Sequence, residues 1–214
     1  MSIPFSFINI EGNIGSGKSS LSKKIAADFD ANLILEEFEN NPFLPKFYED
    51  PEKNAFPLEL SFMAERFQQL IGKESNLNLF SKIKIADYSF FKSKLFAQNN
   101  LKEDEYNLFN KLYNIMFSSI KHPELLIYLH SNIERLQKNI QLRGREYEQN
   151  IDNEYLKNIE KKYFDYLKKQ DNFPVLIIDV SNIDFIKDKK YYEKIISEIQ
   201  HFDLKQKAKK LILS

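Results

Sequence analysis

Eight residues near the N-terminus constrain this chain more than any other feature. Gly12 to Ser19 read GNIGSGKS, which satisfies G-x-x-x-x-G-K-[ST]. The pattern carries its chemistry only between a strand and a helix, and both are expected here. Phe5 to Glu11 is an apolar, β-prone run, and Lys18 to Phe29 has apolar residues at helical spacing. In that setting glycine lets the backbone approach a polyphosphate, whose charge is met by loop amides and the helix N-terminus. Gly12, Asn13, Ile14, Gly15, Ser16, Gly17, Lys18, Ser19 and Ser20 are therefore expected to bind ATP, with Lys18 on the outer phosphates and Ser19 on magnesium. Glycine usage points the same way, since the whole chain has five and three fall inside this window.

The remaining pattern predicts an α/β fold. Apolar runs at Leu33 to Glu36, Lys82 to Ala86, Glu124 to His130 and Val175 to Val180 alternate with helical stretches at 58–71, 103–120, 132–142, 153–169 and 191–202. Strands apolar on both faces and separated by helices imply a parallel sheet of about five strands covered on two sides, a three-layer P-loop fold in one domain over residues 1–214. The proline-rich stretch 40–57 reads as a loop with a short helix, and the tail KQKAKKLILS as a frayed, solvated terminus. Helix 103–120 carries Tyr106, Phe109, Tyr113, Met116 and Ile120 on one face, widened by Leu108, Leu112 and Ile115. A stripe that wide is compatible with deep burial or with a homodimer interface.

Composition narrows the partners. The 31 basic residues balance 31 acidic ones, so no long-range field holds a nucleic acid or an anionic membrane. No run approaches the roughly 18 apolar residues of a membrane span, and the start lacks a basic, cleavable leader, so a cytoplasmic location is expected. Zero cysteines exclude disulfides, thiolate zinc sites, iron–sulfur clusters and cysteine nucleophiles. GTPase signatures DxxG and NKxD are missing, and Asp87 and Asp179 each end an apolar strand without an adjacent acid to direct water. Phosphoryl transfer to an acceptor fits better than hydrolysis, because it needs an acceptor pocket, a base and an arginine lid. Arginine is scarce in this lysine-rich chain, yet Arg143 and Arg145 flank one glycine. A planar fork suited to phosphate is a reason to use it there.

Five motifs in order, GNIGSGKS, LEEFENNPF, FYEDPEKNAFPLELSFMAER, ADYS and LRGREYEQ, make the chain resemble the deoxynucleoside kinase family, its bacterial branch most of all. The resemblance implies ATP-dependent phosphorylation of a deoxynucleoside 5′-hydroxyl with magnesium, commonly in a dimer. It places the general base at Glu36 or Glu37. Glu37 is preferred, and because neighbours on a strand point opposite ways only one can serve. It places Tyr48 and Glu148 on the sugar 3′-hydroxyl, Glu59 and Arg66 on the base, Asp87 on magnesium beside Ser19, and Arg143 and Arg145 in a lid over the transferred group. Where relatives have a base-reading glutamine this chain has Glu59, a pure acceptor when ionised, which favours donor-rich bases, deoxyadenosine first among purines. Where relatives have an arginine near the acceptor oxygen this chain has Tyr88, which leaves open what steadies the base, and Asn139 replaces a first lid arginine, so the lid has one cation fewer. A nucleoside monophosphate kinase and an ATP-binding regulator are the competing readings.

Overall fold

The computed structural model describes residues 3–37, 41–72 and 83–213. Six parallel strands form one sheet in the order β2-β3-β1-β4-β5-β6: β1 Phe7–Gly12, β2 Asn32–Ile34, β3 Lys84–Ala86, β4 Leu125–His130, β5 Val175–Asp179 and β6 Ala208–Ile212. Lys82, at the start of the expected third strand, lies outside the described residues. The chain leaves β1 for one edge, returns beside it as β3, and then crosses to β4 on its other side. That reversal opens a crevice at the carboxyl ends of the strands, with the loop Gly12 to Ser19 in it.

Alternation within the strands sets the layers. Ile8 and Ile10 of β1, Ile127 and Leu129 of β4, and Leu176 and Ile178 of β5 pack on Leu21 and Ile25 of α1 (Lys18–Phe29) and Ile195 and Ile199 of α8 (Lys189–Gln200). Leu126 and Tyr128 face the opposite way, onto Phe91 and Leu95 of α4 (Phe91–Asn100) and Ile159 and Tyr163 of α7 (Asn153–Lys169). A further layer is built where α3 (Pro51–Gly72) and α5 (Glu103–Phe117) close over Met63, Phe90, Phe109 and Tyr113. The short α2 (Phe43–Glu49) and α6 (Ile133–Arg143) flank the crevice.

Three expectations are corrected. The basic tail is not frayed: Ala208 to Ile212 pairs with β5, making the sheet six-stranded, because backbone pairing along an open edge needs no continuous apolar run and Leu213 is buried beneath it. Helix α3 begins at Pro51, seven residues before the expected start, and carries Pro57 inside it. Proline at a helix's first position costs nothing because that N–H has no intrahelical partner. Helix α4 was not expected at all. Its Lys92 and Ser93 are buried beside Phe91 and Leu95, so polar residues fall on the inner face and break the apolar spacing that marks a helix.

Candidate active site

The loop between β1 and α1 takes the form its glycines permit. Gly12 and Gly15 have φ of +153° and +81°, and a Cβ there would lie 2.5 Å from the Leu129 carbonyl oxygen and 2.7 Å from that of Leu136. Gly17 caps α1 in the left-handed conformation without a side-chain cap, and the first turn holds no acid. The helix's first N–H groups are thus left for an anion. Lys18 Nζ donates to the carbonyls of Gly12 (2.9 Å) and Asn13 (3.0 Å) across the loop's mouth. Burial, and secondarily Lys92, lowers Lys18 to about 8. Asn139, where a lid arginine was missing, donates to the Gly15 carbonyl at 2.7 Å and so braces the loop.

Beside the loop a carboxylate is held by two cations. Glu36 Oε1 accepts from Arg66 Nε at 2.8 Å and lies 2.7 Å from Nη2, while Oε2 accepts from Lys92 Nζ at 2.5 Å. Burial alone would raise the Glu36 carboxyl, but the Lys92 ammonium and the Arg66 guanidinium hold it well below the usual carboxylate range. Its backbone N–H donates to Asp87 Oδ1 at 2.7 Å, and Asp87 Oδ2 accepts from the Ser19 hydroxyl. Ser19, Asp87 and Glu36 are therefore joined in one chain of contacts. Strand β2 ends at Ile34, so Glu36 and Glu37 lie beyond the alternation used to choose between them. Glu36 lines the cleft; Glu37, the expected base, is exposed and does not.

That cleft is open to solvent and is walled by apolar Leu44, Phe47, Leu58 and Phe62 as well as by charged groups. Tyr48 stands in its wall, stacked on Tyr147 with ring centroids 5.8 Å apart. Glu148 is buried and binds both Arg143 and Arg145, the latter at 3.2 Å. Deeper in, Glu59 is 1% exposed. Its Oε1 accepts from Asn100 Nδ2 at 2.7 Å, and no hydrogen-bond donor among the described residues reaches its buried Oε2. Burial, opposed by Arg66 and the Asn100 bond, raises Glu59 to about 7. Arg66 lies behind it, its Nη1 donating to Ser93 Oγ at 2.8 Å. A second cleft on the outer side of the loop is lined by Gly15 to Ser20, Lys23, Arg135, Asn139 and the apolar Leu142, Phe185 and Ile186. Lys18, Ser19, Arg143 and Arg145 line both clefts.

The deoxynucleoside kinase family's sequence profile matches residues 8–203. This chain belongs to the deoxynucleoside kinase family. It is similar to the deoxyguanosine kinase of Bacillus subtilis (strain 168), at 31% identity over 91% of this chain and 96% of that one. The deoxyadenosine/deoxycytidine kinase of the same organism is 29% identical, covering 91% of each. A solved structure of deoxyadenosine kinase from M. mycoides with bound dATP superposes with a TM-score of 0.78 at 26% identity, over 91% of this chain and 98% of that one.

In this kinase, then, Lys18, Ser19, Glu36, Tyr48, Glu59, Arg66, Asp87, Arg143, Arg145 and Glu148 are brought to one cleft. Tyr88 is turned away from it, buried with its hydroxyl donating to Gln69 at 2.8 Å. Lys92, Asn100 and Tyr155, which the sequence reading did not select, line it as well. Only the unexpected helix α4 brings Lys92 and Asn100 there, and the surplus of lysines and asparagines hid them. Among the described residues no helix is long and apolar enough to cross a membrane.

Proposed function

We propose that this kinase transfers the γ-phosphoryl group of ATP to the 5′-hydroxyl of a purine 2′-deoxynucleoside. The junction of the two clefts at Lys18, Ser19, Arg143 and Arg145 carries the reading, because a triphosphate in one and a nucleoside in the other would meet there. Glu36, not Glu37, takes the 5′-hydroxyl proton as the new O–Pγ bond forms and the Pγ–O bond to ADP breaks. Lys18, Arg143 and Arg145 offset the charge spread over the phosphoryl oxygens, and the two arginines act as a lid. Ser19 and Asp87 offer one hydroxyl and one carboxylate in contact, a hard-oxygen set that suits magnesium. When bound, the ion would neutralise phosphate charge. Tyr48 and Glu148 hold the sugar 3′-hydroxyl, and the Tyr48 ring disfavours a 2′-hydroxyl.

Glu59 reads the base. Its carboxylate matches the N1–H and N2–H donors of guanine, whereas its protonated form donates to N1 of adenine while accepting from the 6-amino group. With Glu59 near 7 both forms are present at neutral pH, so deoxyadenosine leads below that pH and deoxyguanosine above it. We place the enzyme in the cytoplasm as one domain, and as a homodimer through α5, where Leu108, Leu112 and Ile115 are 50, 38 and 71% exposed.

A coupled ADP-release assay with ATP and magnesium, run on the four deoxynucleosides, adenosine and dTMP, tests the reading. Turnover on purine deoxynucleosides with little on adenosine supports it. Turnover on dTMP alone would make the chain a monophosphate kinase, and ATP binding without turnover a nucleotide-dependent switch.

A further inference from the structure

Lys92 is a buried ammonium that the chemistry above does not use, and its surroundings assign it a task. It sits in the first turn of α4, where its N–H is accepted by the Ser89 carbonyl at 3.1 Å. The Ser89 N–H is in turn held at 2.6 Å by Oε1 of Glu11, a fully buried carboxylate at the end of β1 whose other oxygen accepts from Tyr163 at 2.9 Å. The base of α4 is therefore tied to the strand that leads into the phosphate loop. From there the Lys92 side chain, 9% exposed, reaches Glu36 with the Phe96 ring 5.4 Å from its nitrogen.

The two oxygens of Glu36 are not equivalent. Arg66 occupies Oε1, Nε donating at 2.8 Å with Nη2 2.7 Å away as an ion-pair contact, and its Nη1 is committed to Ser93. Among the described residues Oε2 carries the Lys92 contact alone, which leaves one lone pair there. That lone pair belongs to the oxygen that Lys92 contacts directly, and Lys92 itself lines the acceptor cleft. We propose that Lys92 is a positioning residue for phosphoryl transfer: it holds Glu36 so that the free lone pair of Oε2 receives the proton from the acceptor hydroxyl. The proposal rests on the reading of Glu36 as the base. Proton, bonds and charges balance as in that reading: the proton passes from the 5′-oxygen to Oε2, and Lys92 keeps all of its own.

A double-variant cycle tests it. Glu36→Gln removes the base and should lower kcat by about 10²- to 10⁴-fold. Lys92→Met should lower kcat by at least ~10-fold while changing the KM for ATP less than ~3-fold, because the lysine acts through the base and not on the donor. In the Glu36→Gln background Lys92→Met should cost less than ~3-fold more, since residues that act as a unit are not additive. Lys92→Gln runs the same cycle if the methionine variant does not fold, and ATP-analogue binding with a thermal midpoint reports folding for each. Losses that multiply in the double variant, or an unchanged kcat in Lys92→Met, overturn the role of Lys92 alone. An unsubstituted enzyme that phosphorylates no deoxynucleoside overturns the proposed function and this role with it.

Discussion

Replacing Glu59 by glutamine removes an acid whose proton affinity the fold has raised, so the effect should appear in stability and in base choice, each with its own pH dependence. Glu59 lies at 1% exposure and is raised from 4.5 to about 7 by burial, against the pull of Arg66 and the Asn100 bond. The folded state therefore binds its proton more tightly than the unfolded chain does. Stability from this group is complete below pH 4.5 and is lost as pH rises to 7. Above that, the ionised form costs about 3 kcal/mol at 1.36 kcal/mol per tenfold change in proton affinity. Glutamine should relieve that cost, raising the thermal midpoint at pH 8 by roughly 6–12 °C at about 2–4 °C per kcal/mol, and by only about 2–3 °C at pH 5, where the unfolded carboxyl is partly ionised. In the parallel kinetic assay, the kcat/KM ratio of deoxyguanosine to deoxyadenosine should climb with pH through about 7 in the unsubstituted enzyme. In Glu59→Gln it should be flat, because an amide presents the same donor and acceptor at every pH. Calorimetry at the two pH values and initial rates from pH 6 to 8.5 read both effects. A midpoint change equal at pH 5 and 8, or a base ratio that rises identically in the variant, would refute the assignment of the titrating group to Glu59.

Other outcomes follow from the same geometry. Lys18 is lowered to about 8, so its ammonium is lost as pH rises through that value; ATP affinity measured by fluorescence should weaken above pH 8, and Lys18→Met should bind weakly at every pH. Gly15→Ala puts a side chain at φ +81°, 2.7 Å from a backbone oxygen; it should cost at least about 2 kcal/mol in chemical denaturation and reduce ATP binding with it. If α5 forms the proposed homodimer interface, Ile115→Glu, at a residue 71% exposed, should leave the chain folded and raise the monomer fraction in sedimentation velocity; an unchanged distribution refutes that interface.

The phosphate loop was fully legible in the sequence, because local backbone geometry demands its glycines, and their φ values and close contacts bear out that demand. The central strands were legible for a similar reason: burial on both faces forces continuous apolar runs such as Leu125 to His130. The sequence left the choice between Glu36 and Glu37 to strand alternation, which fails where β2 stops at Ile34 and contact with Asp87 sets the backbone's path. Lys92 was invisible because a lysine in a chain rich in lysines reads as surface charge until its helix is placed. Edge pairing of the tail with β5 was likewise invisible, since an edge strand needs a partner's free backbone groups more than any composition of its own. The sequence alone thus specified the glycine-shaped loop between β1 and α1, the parallel α/β core and the set of chemical groups available. Long-range packing set which carboxylate faces the cleft, which cations contact it, and that Glu59 keeps one buried oxygen without a donor among the described residues. Those outcomes depend on long-range packing of α3, α4 and α7 around the site, and the energies of buried charges are set by that packing.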